Sequence, residues 1–241
     1  EMCIRDRVSL MAAYTHNVAK SVTGMPGSNA ESAFTYVPTV EGPNHIKLHN
    51  SQYNTPDRLV ASATIHDKSG NHYSLFYEGW RGGANYSFMT TNDMNGDGYN
   101  YDAIYIPTDQ QVADKQFRFV SEDDKTRFMD YVHANGYLSK HQGEYAEAYA
   151  LYSPWVHRID FAYKHEFKLN VGKTKHGLQL SFDIKNLLNL FDSKWGVAKY
   201  LNPAIGSDAR ILKYEGVDTD GVAKFSLSLI HISEPTRRYA I

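Results

Sequence analysis

The residues best suited to chemistry form an oxygen-rich loop near the middle of the chain. Asp93, Asn95 and Asp97 alternate with other residues, and a glycine follows them directly. This spacing matches the first half of a calcium loop, in which carboxylate and amide oxygens bind the ion and a glycine makes the sharp turn. Asp102 offers a further oxygen, but Ile104 stands where such a loop places its bidentate glutamate. We therefore predict a structural calcium site at these oxygen-bearing residues, with a plain Asn/Asp/Gly turn as the alternative.

A second set of charged side chains alternates along one later segment. Its members would share one side of a strand, because successive residues of a strand point to opposite faces. Such a row can contact a polar substrate in transit. Alternatively, it solvates and cross-pairs along the wall of a water-filled lumen, with little energy for each pair. The predicted lumen-facing row consists of Arg158, Asp160, Lys164, Glu166 and Lys168.

The sequence predicts no catalytic residues. His157 and Asp160 fall on opposite faces of one strand, so they do not form a general base and its orienting carboxylate. The sequence contains no nucleophile elbow, no zinc-protease helix motif and no phosphate-binding glycine-rich loop. Its histidines are scattered without the spacing of metal ligands. We predict that the chain is not an enzyme and holds no cofactor apart from the calcium ion considered above.

The segment that positions the charged row alternates with a period of two over an unusual length. From Trp155 to Val171, aromatic and aliphatic residues alternate with mostly charged ones. After a polar link at 172–177 the pattern returns from Leu178 to Ile184. Globular strands usually have about 5–6 residues, whereas a tilted membrane-spanning strand needs about 9–11. In a soluble sheet the apolar face is the core, while in an outer-membrane barrel it meets lipid. The length favours the barrel.

The overall composition excludes several classes of protein. The chain has 241 residues, a formal net charge of −2 and 13% aromatic residues. The near-neutral charge gives no reason to expect nucleic acid as a partner, since that needs a clustered basic surface. No run of about 18 apolar residues exists, so a transmembrane helix is excluded, whereas a membrane barrel is not. A single cysteine excludes an internal disulfide.

The predicted connections alternate between long and short. Outer-membrane barrels have short periplasmic turns and longer extracellular loops in alternation. The longest connection contains a helical pattern over 121–136, and 211–226 predicts a hairpin. The predicted fold is therefore all-β. It is an antiparallel meander, part of a large transmembrane β-barrel with long extracellular loops, one of which carries a short helix. Further strands are predicted over 8–23, 58–66 and 72–91, the last with a bend at its glycines. The connections are 24–57 (long), 67–71 (short), 92–153 (long), 172–177 (short) and 191–210 (long).

The two ends of the chain are related at the level of DNA. Residues 1–7 and 227–237 can be encoded so that one begins as the reverse complement of the other. An adapter sequence translated at both ends of an assembled DNA fragment has this property. We therefore exclude residues 1–7 and 227–241 from the predicted fold. Residues 8–226 are then expected to be an internal piece of a longer protein, a partial outer-membrane β-barrel.

Several motifs occur in an order that points to one family. They are Pro154-Trp-Val-His-Arg-Ile-Asp160, the Asn-Leu-Leu-Asn block at 186–189, Trp195-Gly196, and the loop 92–98 followed by 102–107. In this order they resemble the motifs of TonB-dependent outer-membrane receptors, most closely the Oar-like group of Bacteroidetes. The likeness extends over most of residues 55–200.

The resemblance implies a receptor in the cell outer membrane that imports an unidentified substrate. Such receptors are similar in carrying an amino-terminal plug, a TonB box and a barrel of about 22 strands. Their extracellular loops capture the ligand, and an inner-membrane complex pulls the plug through TonB. The implied partners are outer-membrane lipid, the TonB complex and the imported ligand, with no nucleic acid. This sequence contains neither a plug nor a TonB box, and their presence or absence in the upstream DNA would discriminate a receptor from a non-transporting barrel.

Two other functions fit the same patterns. A non-transporting outer-membrane barrel, such as an adhesin, needs the barrel but neither plug nor TonB box. A secreted carbohydrate-binding β-sandwich would pair the apolar faces as a dry core. In the β-sandwich, four aromatic residues would bind sugar rings, whereas in a membrane barrel they would form girdles at the membrane interface. These residues are Trp155, Tyr163, Phe191 and Trp195.

Overall fold

A computed structural model describes residues 7–22, 27–199 and 209–228, and within these ranges the chain is mostly β. Short 3-10 helices cover Leu138–Lys140 and Leu187–Leu190. None of the helices in these ranges is long and apolar enough to cross a membrane. In chain order the other elements are β1 (Val8–His16), β2 (Lys20–Ser21), α1 (Ala30–Thr35), β3 (His49–Asn50), β4 (Asp57–His66), β5 (Asn71–Arg81), β6 (Phe88–Thr91), β7 (Tyr105–Ile106), α2 (Asp109–Ala113), β8 (Arg118–Phe119), α3 (Glu122–Ala134), β9 (Glu144–Tyr145), β10 (Val156–Val171), β11 (Thr174–Ile184), β12 (Ala209–Val217) and β13 (Ala223–Leu227).

The largest sheet has five strands in the order β1-β4-β5-β10-β11, and every neighbouring pair in it is antiparallel. Its long strands follow one another in the sheet as they do in the chain, so the sheet is a meander with insertions. This confirms the predicted all-β class and the antiparallel pairing of the long strands. The long alternating segment is also confirmed, because β10 is a continuous strand over Val156–Val171.

The register of this sheet separates apolar from polar side chains. Residues directly opposite each other in an antiparallel pair lie on the same face. On one side, here named the apolar face, rows of aromatic and aliphatic residues cross all five strands. The other side is named the polar face. Two rows of the apolar face are Val8, Ile65, Tyr73, Tyr163 and Phe182, and Leu10, Ala63, Leu75, Phe161 and Ile184.

The apolar face is open to its surroundings. Leu10 is 76% exposed, Leu180 is 58% exposed and Phe182 is 57% exposed. No other sheet packs against this face in the described part of the chain. The dry centre between two sheets that a β-sandwich requires is therefore not formed by residues 7–22, 27–199 and 209–228.

The two rims of the sheet carry connections of different length. At one end of the strands, named the turn rim, residues 67–70 and 172–173 join adjacent strands. At the opposite end of the strands, named the loop rim, residues 17–56 and 82–155 make the connections. The predicted alternation of long and short connections is present in this sheet.

The buried core lies in a cap at the loop rim, formed by residues 82–155 with the hairpin β12–β13. A second sheet in the cap has the order β6-β12-β13-β8. In this sheet β6 is parallel to β12, and β8 is parallel to β13. Helix α3 packs on it through Phe128 and Val132, which share a helix face because they are four residues apart. The Ser121 side chain accepts a hydrogen bond from Asp124 N at 3.1 Å and so caps the predicted helix.

Several predicted boundaries are wrong. The strand over 72–91 divides at Gly82 and Gly83, whose φ angles are 85° and 87°. At Gly82 a Cβ would lie 2.5 Å from Asn54 O, so only glycine permits the chain to leave the five-stranded sheet here. The hairpin at 211–226 exists, but it joins the cap rather than the meander. The link at 172–177 shortens to 172–173 because β11 begins at Thr174.

The adapter prediction falls mostly outside the described ranges. Residues 1–6 and 229–241 are not among the described residues. Of the excluded residues that are described, Arg7 accepts a hydrogen bond from His66 N at 2.8 Å through its carbonyl. Leu227 ends β13 and is buried in the core of the cap. The loops 24–57 and 191–210 also run partly through undescribed residues, 24–26 and 200–208.

Candidate functional site

The predicted charged row lies on one side of the sheet. Its members have opposite partners on neighbouring strands, which places all of them on the polar face. The pairs are Arg158 with Glu78, Asp160 with Phe76, Lys164 with His72, Glu166 with Gln179, and Lys168 with Gly177.

Near the loop rim the charges of the polar face pair across strands. Glu78 accepts hydrogen bonds from Arg58 Nη2 at 2.5 Å and from Arg158 Nη2 at 2.9 Å. The Arg158 guanidinium also lies over the Trp80 ring, 5.7 Å from its centroid. Sequence reasoning missed Arg58 and Glu78, because only the register brings them beside Arg158. Neighbouring charges satisfy this part of the row, which favours the cross-pairing interpretation over a substrate contact.

Three of the four motifs that carry the family resemblance meet in space, those at 154–160, 186–189 and 195–196. Asn186 adopts a left-handed conformation with φ of 53°, and its N–H donates to Asp160 Oδ1 at 2.8 Å. Its side-chain amide donates to the carbonyls of Trp195 and Gly196, each at 3.3 Å. Asn189 Nδ2 donates to the Trp195 carbonyl at 3.2 Å. The Asn-Leu-Leu-Asn block and Trp195-Gly196 therefore close one loop at the end of β11, and the hydrogen bond to Asp160 ties this loop to β10.

The oxygen-rich loop is held by hydrogen bonds to its own backbone. The Asp93 carboxylate accepts from Gly96 N at 2.7 Å and from Gly98 N at 2.8 Å. Asp102 is buried and accepts from Met94 N at 2.7 Å. Burial raises the pKa of Asp102 to about 6, and the nearby acidic residues of the loop add to this shift while the hydrogen bond from Met94 N opposes it.

The other predicted calcium ligands also bind backbone groups. Asn95 Oδ1 accepts from Asp97 N at 2.9 Å, and Asp97 Oδ1 accepts from Tyr99 N at 2.8 Å. Across residues 7–22, 27–199 and 209–228, no three or more His, Cys, Asp or Glu side chains form a group that could hold a metal ion. The loop thus has the hydrogen bonds of an Asn/Asp/Gly turn, and calcium binding stays a prediction.

Calorimetric titration tests the calcium prediction. We expect the intact protein to bind one calcium ion at this loop with a heat signal that a chelator reverses. Asp93→Asn should weaken the binding, because it removes a negative charge from the loop. The control Asp192→Asn changes a carboxylate in a separate turn, where its Oδ1 accepts from Lys194 N, and should leave binding unchanged. Absence of heat in the unaltered protein would end the prediction.

The predicted aromatic residues occupy two levels of the sheet. Trp155, Phe191 and Trp195 are exposed at the loop rim, where β10 begins and the chain leaves β11. Tyr163 lies further along β10 on the apolar face, with its ring centroid 5.2 Å from that of Tyr73. The ring of His157 is on this same face, opposite Gly79. Asp160 is on the polar face, so the predicted separation of these two residues is confirmed.

A cavity of about 440 Å³ lies in the loop region between residues 38–49 and 145–148. Its wall mixes apolar groups with charged ones, including Glu41 and Lys47, whose Oε1 and Nζ atoms lie 3.4 Å apart. Sequence reasoning missed this cavity, because its two walls come from segments far apart in the chain and neither carries a motif. Its size suits a small ligand.

No protein-family model, no curated protein and no solved structure matches this chain.

Proposed function

We propose that the chain is part of a TonB-dependent outer-membrane receptor that imports an unidentified substrate. The observation that carries the proposal is the exposed apolar face of the five-stranded sheet. Water contact with apolar surface costs about 25 cal/mol per Å², and soluble monomers rarely expose large continuous apolar patches. In an outer membrane, acyl chains would cover this face and take the place of a protein core.

Strand length supports the same proposal. A tilted strand needs about 9–11 residues to cross the hydrocarbon region. In the sheet, β1 has 9 residues, β4 has 10, and β5 and β11 have 11 each. At 16 residues, β10 is long enough to continue beyond the membrane. Strands of ordinary soluble sheets are shorter, at about 5–6 residues.

The cap and the rims give the proposal an orientation. Short turns face the periplasm in outer-membrane barrels, and long loops face the outside. The cap at the loop rim would then be extracellular, and we propose that ligand is captured in the cavity between residues 38–49 and the cap. The polar face would line the lumen, with its cross-strand ion pairs in contact with water.

The motifs favour transport over the alternative barrel. An adhesin-like barrel would have the same sheet and the same exposed face. The joined motifs around Asn186 and Asp160 resemble those of TonB-dependent receptors, which favours the receptor. Reading the upstream DNA tests this choice, since a receptor requires a plug and a TonB box there. The β-sandwich alternative is less favoured, because no sheet covers the apolar face in the described residues.

Spin-label accessibility tests the membrane assignment in the full-length protein in lipid vesicles. A nitroxide at Leu180→Cys on the apolar face should collide with oxygen and be shielded from a water-soluble nickel complex. A nitroxide at Gln179→Cys, one residue away on the polar face, should show the opposite preference. Equal exposure of both labels to the nickel complex would contradict the proposal, as would shielding of both from both reagents.

A further inference from the structure

Two histidines face each other at the turn rim. His66 ends β4, and His72 lies directly opposite it on β5. Their Nδ1 atoms are in direct contact, and the ring planes are nearly perpendicular, at 88°, with centroids 4.4 Å apart. Both side chains are half-buried on the polar face, where Lys164 is the next residue across the sheet.

The backbone explains why these rings meet. Antiparallel pairs alternate between hydrogen-bonded and non-hydrogen-bonded types, and side chains come closest in the second type. His66 N donates away from β5, to Arg7 O at 2.8 Å, while Asp67 N donates to Asn71 O at 2.9 Å. The pair His66–His72 is therefore of the non-hydrogen-bonded type.

The turn beyond this pair holds both strands in place. Asp67 Oδ1 accepts from Ser69 N at 2.8 Å and from Asn71 N at 2.9 Å. A hydrogen bond from the Asn71 side chain, together with those from the Asn71 and Ser69 backbone N–H groups, holds the pKa of Asp67 below its usual range. The Asp67 carboxylate is thus occupied by the turn, and it fixes the positions of the two histidines on either side.

We propose that His66 and His72 together bind one divalent transition-metal ion, such as Zn²⁺, through their Nδ1 atoms. Neutral imidazole nitrogens bind zinc at about 2.0–2.1 Å, and tetrahedral geometry then sets the two nitrogens about 3.3 Å apart. To reach this separation, the two rings would have to turn about their side-chain bonds. Without an ion, one of two neutral rings must donate a proton to the other, whereas a metal ion lets both act as electron-pair donors.

The site has two protein ligands, and water completes the coordination. In the described part of the chain no larger group of acidic, histidine or cysteine side chains is placed to hold a metal. Glu166 Oε1 lies 4.0 Å from His72 Nε2. This separation is too long for a hydrogen bond, but the negative charge of the carboxylate favours a cation at the histidine pair. Lys164 has the opposite effect, because its positive charge opposes a cation at the neighbouring pair.

The inference rests on the hairpin β4–β5 and its neighbour β10, and it does not depend on the proposed transport function. Titration of the full-length protein in detergent with ZnCl₂ at pH 7.5 is the experiment. We expect saturable binding that is lost in both His66→Gln and His72→Gln. Glu166→Gln should weaken it by about tenfold, and Lys164→Gln should strengthen it. The matched control is His176→Gln, an exposed histidine on β11, which should leave binding unchanged.

A spectroscopic measurement separates loss of the site from loss of the fold. Cu²⁺ bound to the unaltered protein should show an electron paramagnetic resonance spectrum with two coupled nitrogens. The same spectrum of His66→Gln should lack the two-nitrogen pattern while its circular dichroism matches the unaltered protein. Unchanged zinc affinity in folded His66→Gln would overturn the proposal, as would a two-nitrogen copper spectrum from that variant.

Discussion

If the apolar face meets lipid as proposed, Leu75→Arg should destabilise the full-length protein in lipid vesicles by about 2–4 kcal/mol, the cost of an arginine near the bilayer midplane. Leu75 lies on the apolar face of β5, between Ala63 and Phe161, and is 46% exposed. No protein group in this row offers the guanidinium a partner. Equilibrium unfolding in urea, followed by tryptophan fluorescence, measures the change.

The adjacent residue provides the control. Ser74 lies on the polar face, opposite Thr64 and Ala162. An arginine there would reach water in the proposed lumen, so Ser74→Arg should cost much less than Leu75→Arg. Equal costs for the two variants would contradict the lipid-facing assignment of the apolar face.

A larger side chain at the same position separates lipid contact from a packed core. Overpacking a protein core typically costs about 1–3 kcal/mol. Lipid adapts to the shape of the surface, so Leu75→Trp should leave stability nearly unchanged if acyl chains cover this face. A loss equal to that of an overpacked core would favour the β-sandwich instead.

Phe128→Ala is expected to destabilise the cap by about 3–5 kcal/mol, as other large-to-small changes of buried aromatic residues do. Phe128 is fully buried in the core of the cap, with its ring centroid 5.5 Å from that of Phe119. The loss should appear as faster amide hydrogen exchange in α3 and in β8 and β13, the strands that α3 contacts. Exchange in the five-stranded sheet should stay slow, because its strands share hydrogen bonds with one another rather than with the cap.

Phe191→Ala is the matched control for the cap. Phe191 is also an aromatic residue of a connecting segment, but it is 76% exposed and its loss leaves no cavity. It should change hydrogen exchange in the cap very little. If Phe128→Ala has no more effect than Phe191→Ala, the cap is not organised around the buried cluster described above.

The sequence alone determined the local features, which depend only on residues close together in the chain. Alternation from Val156 to Val171 specifies a strand with two unlike faces, because a strand's side chains alternate whatever it pairs with. The turn at Asp67, the helix after Ser121 and the oxygen-rich loop at Asp93 likewise follow from side chains that bind nearby backbone groups. The members of the charged row could each be predicted to share one face of the sheet, because side chains alternate along a strand.

Only the tertiary structure decided which segments meet. A period of two fits a lipid-facing strand and a core strand equally, so the alternation by itself, unlike the strand length, left the exposure of the apolar face open. Register between distant segments decides the division of the predicted strand at Gly82 and the contacts of Glu78 with Arg58 and Arg158. It also decides that the hairpin β12–β13 pairs in parallel with β6 and β8. The facing rings of His66 and His72 depend on it too, since one residue of slip would turn either ring to the other side of the sheet.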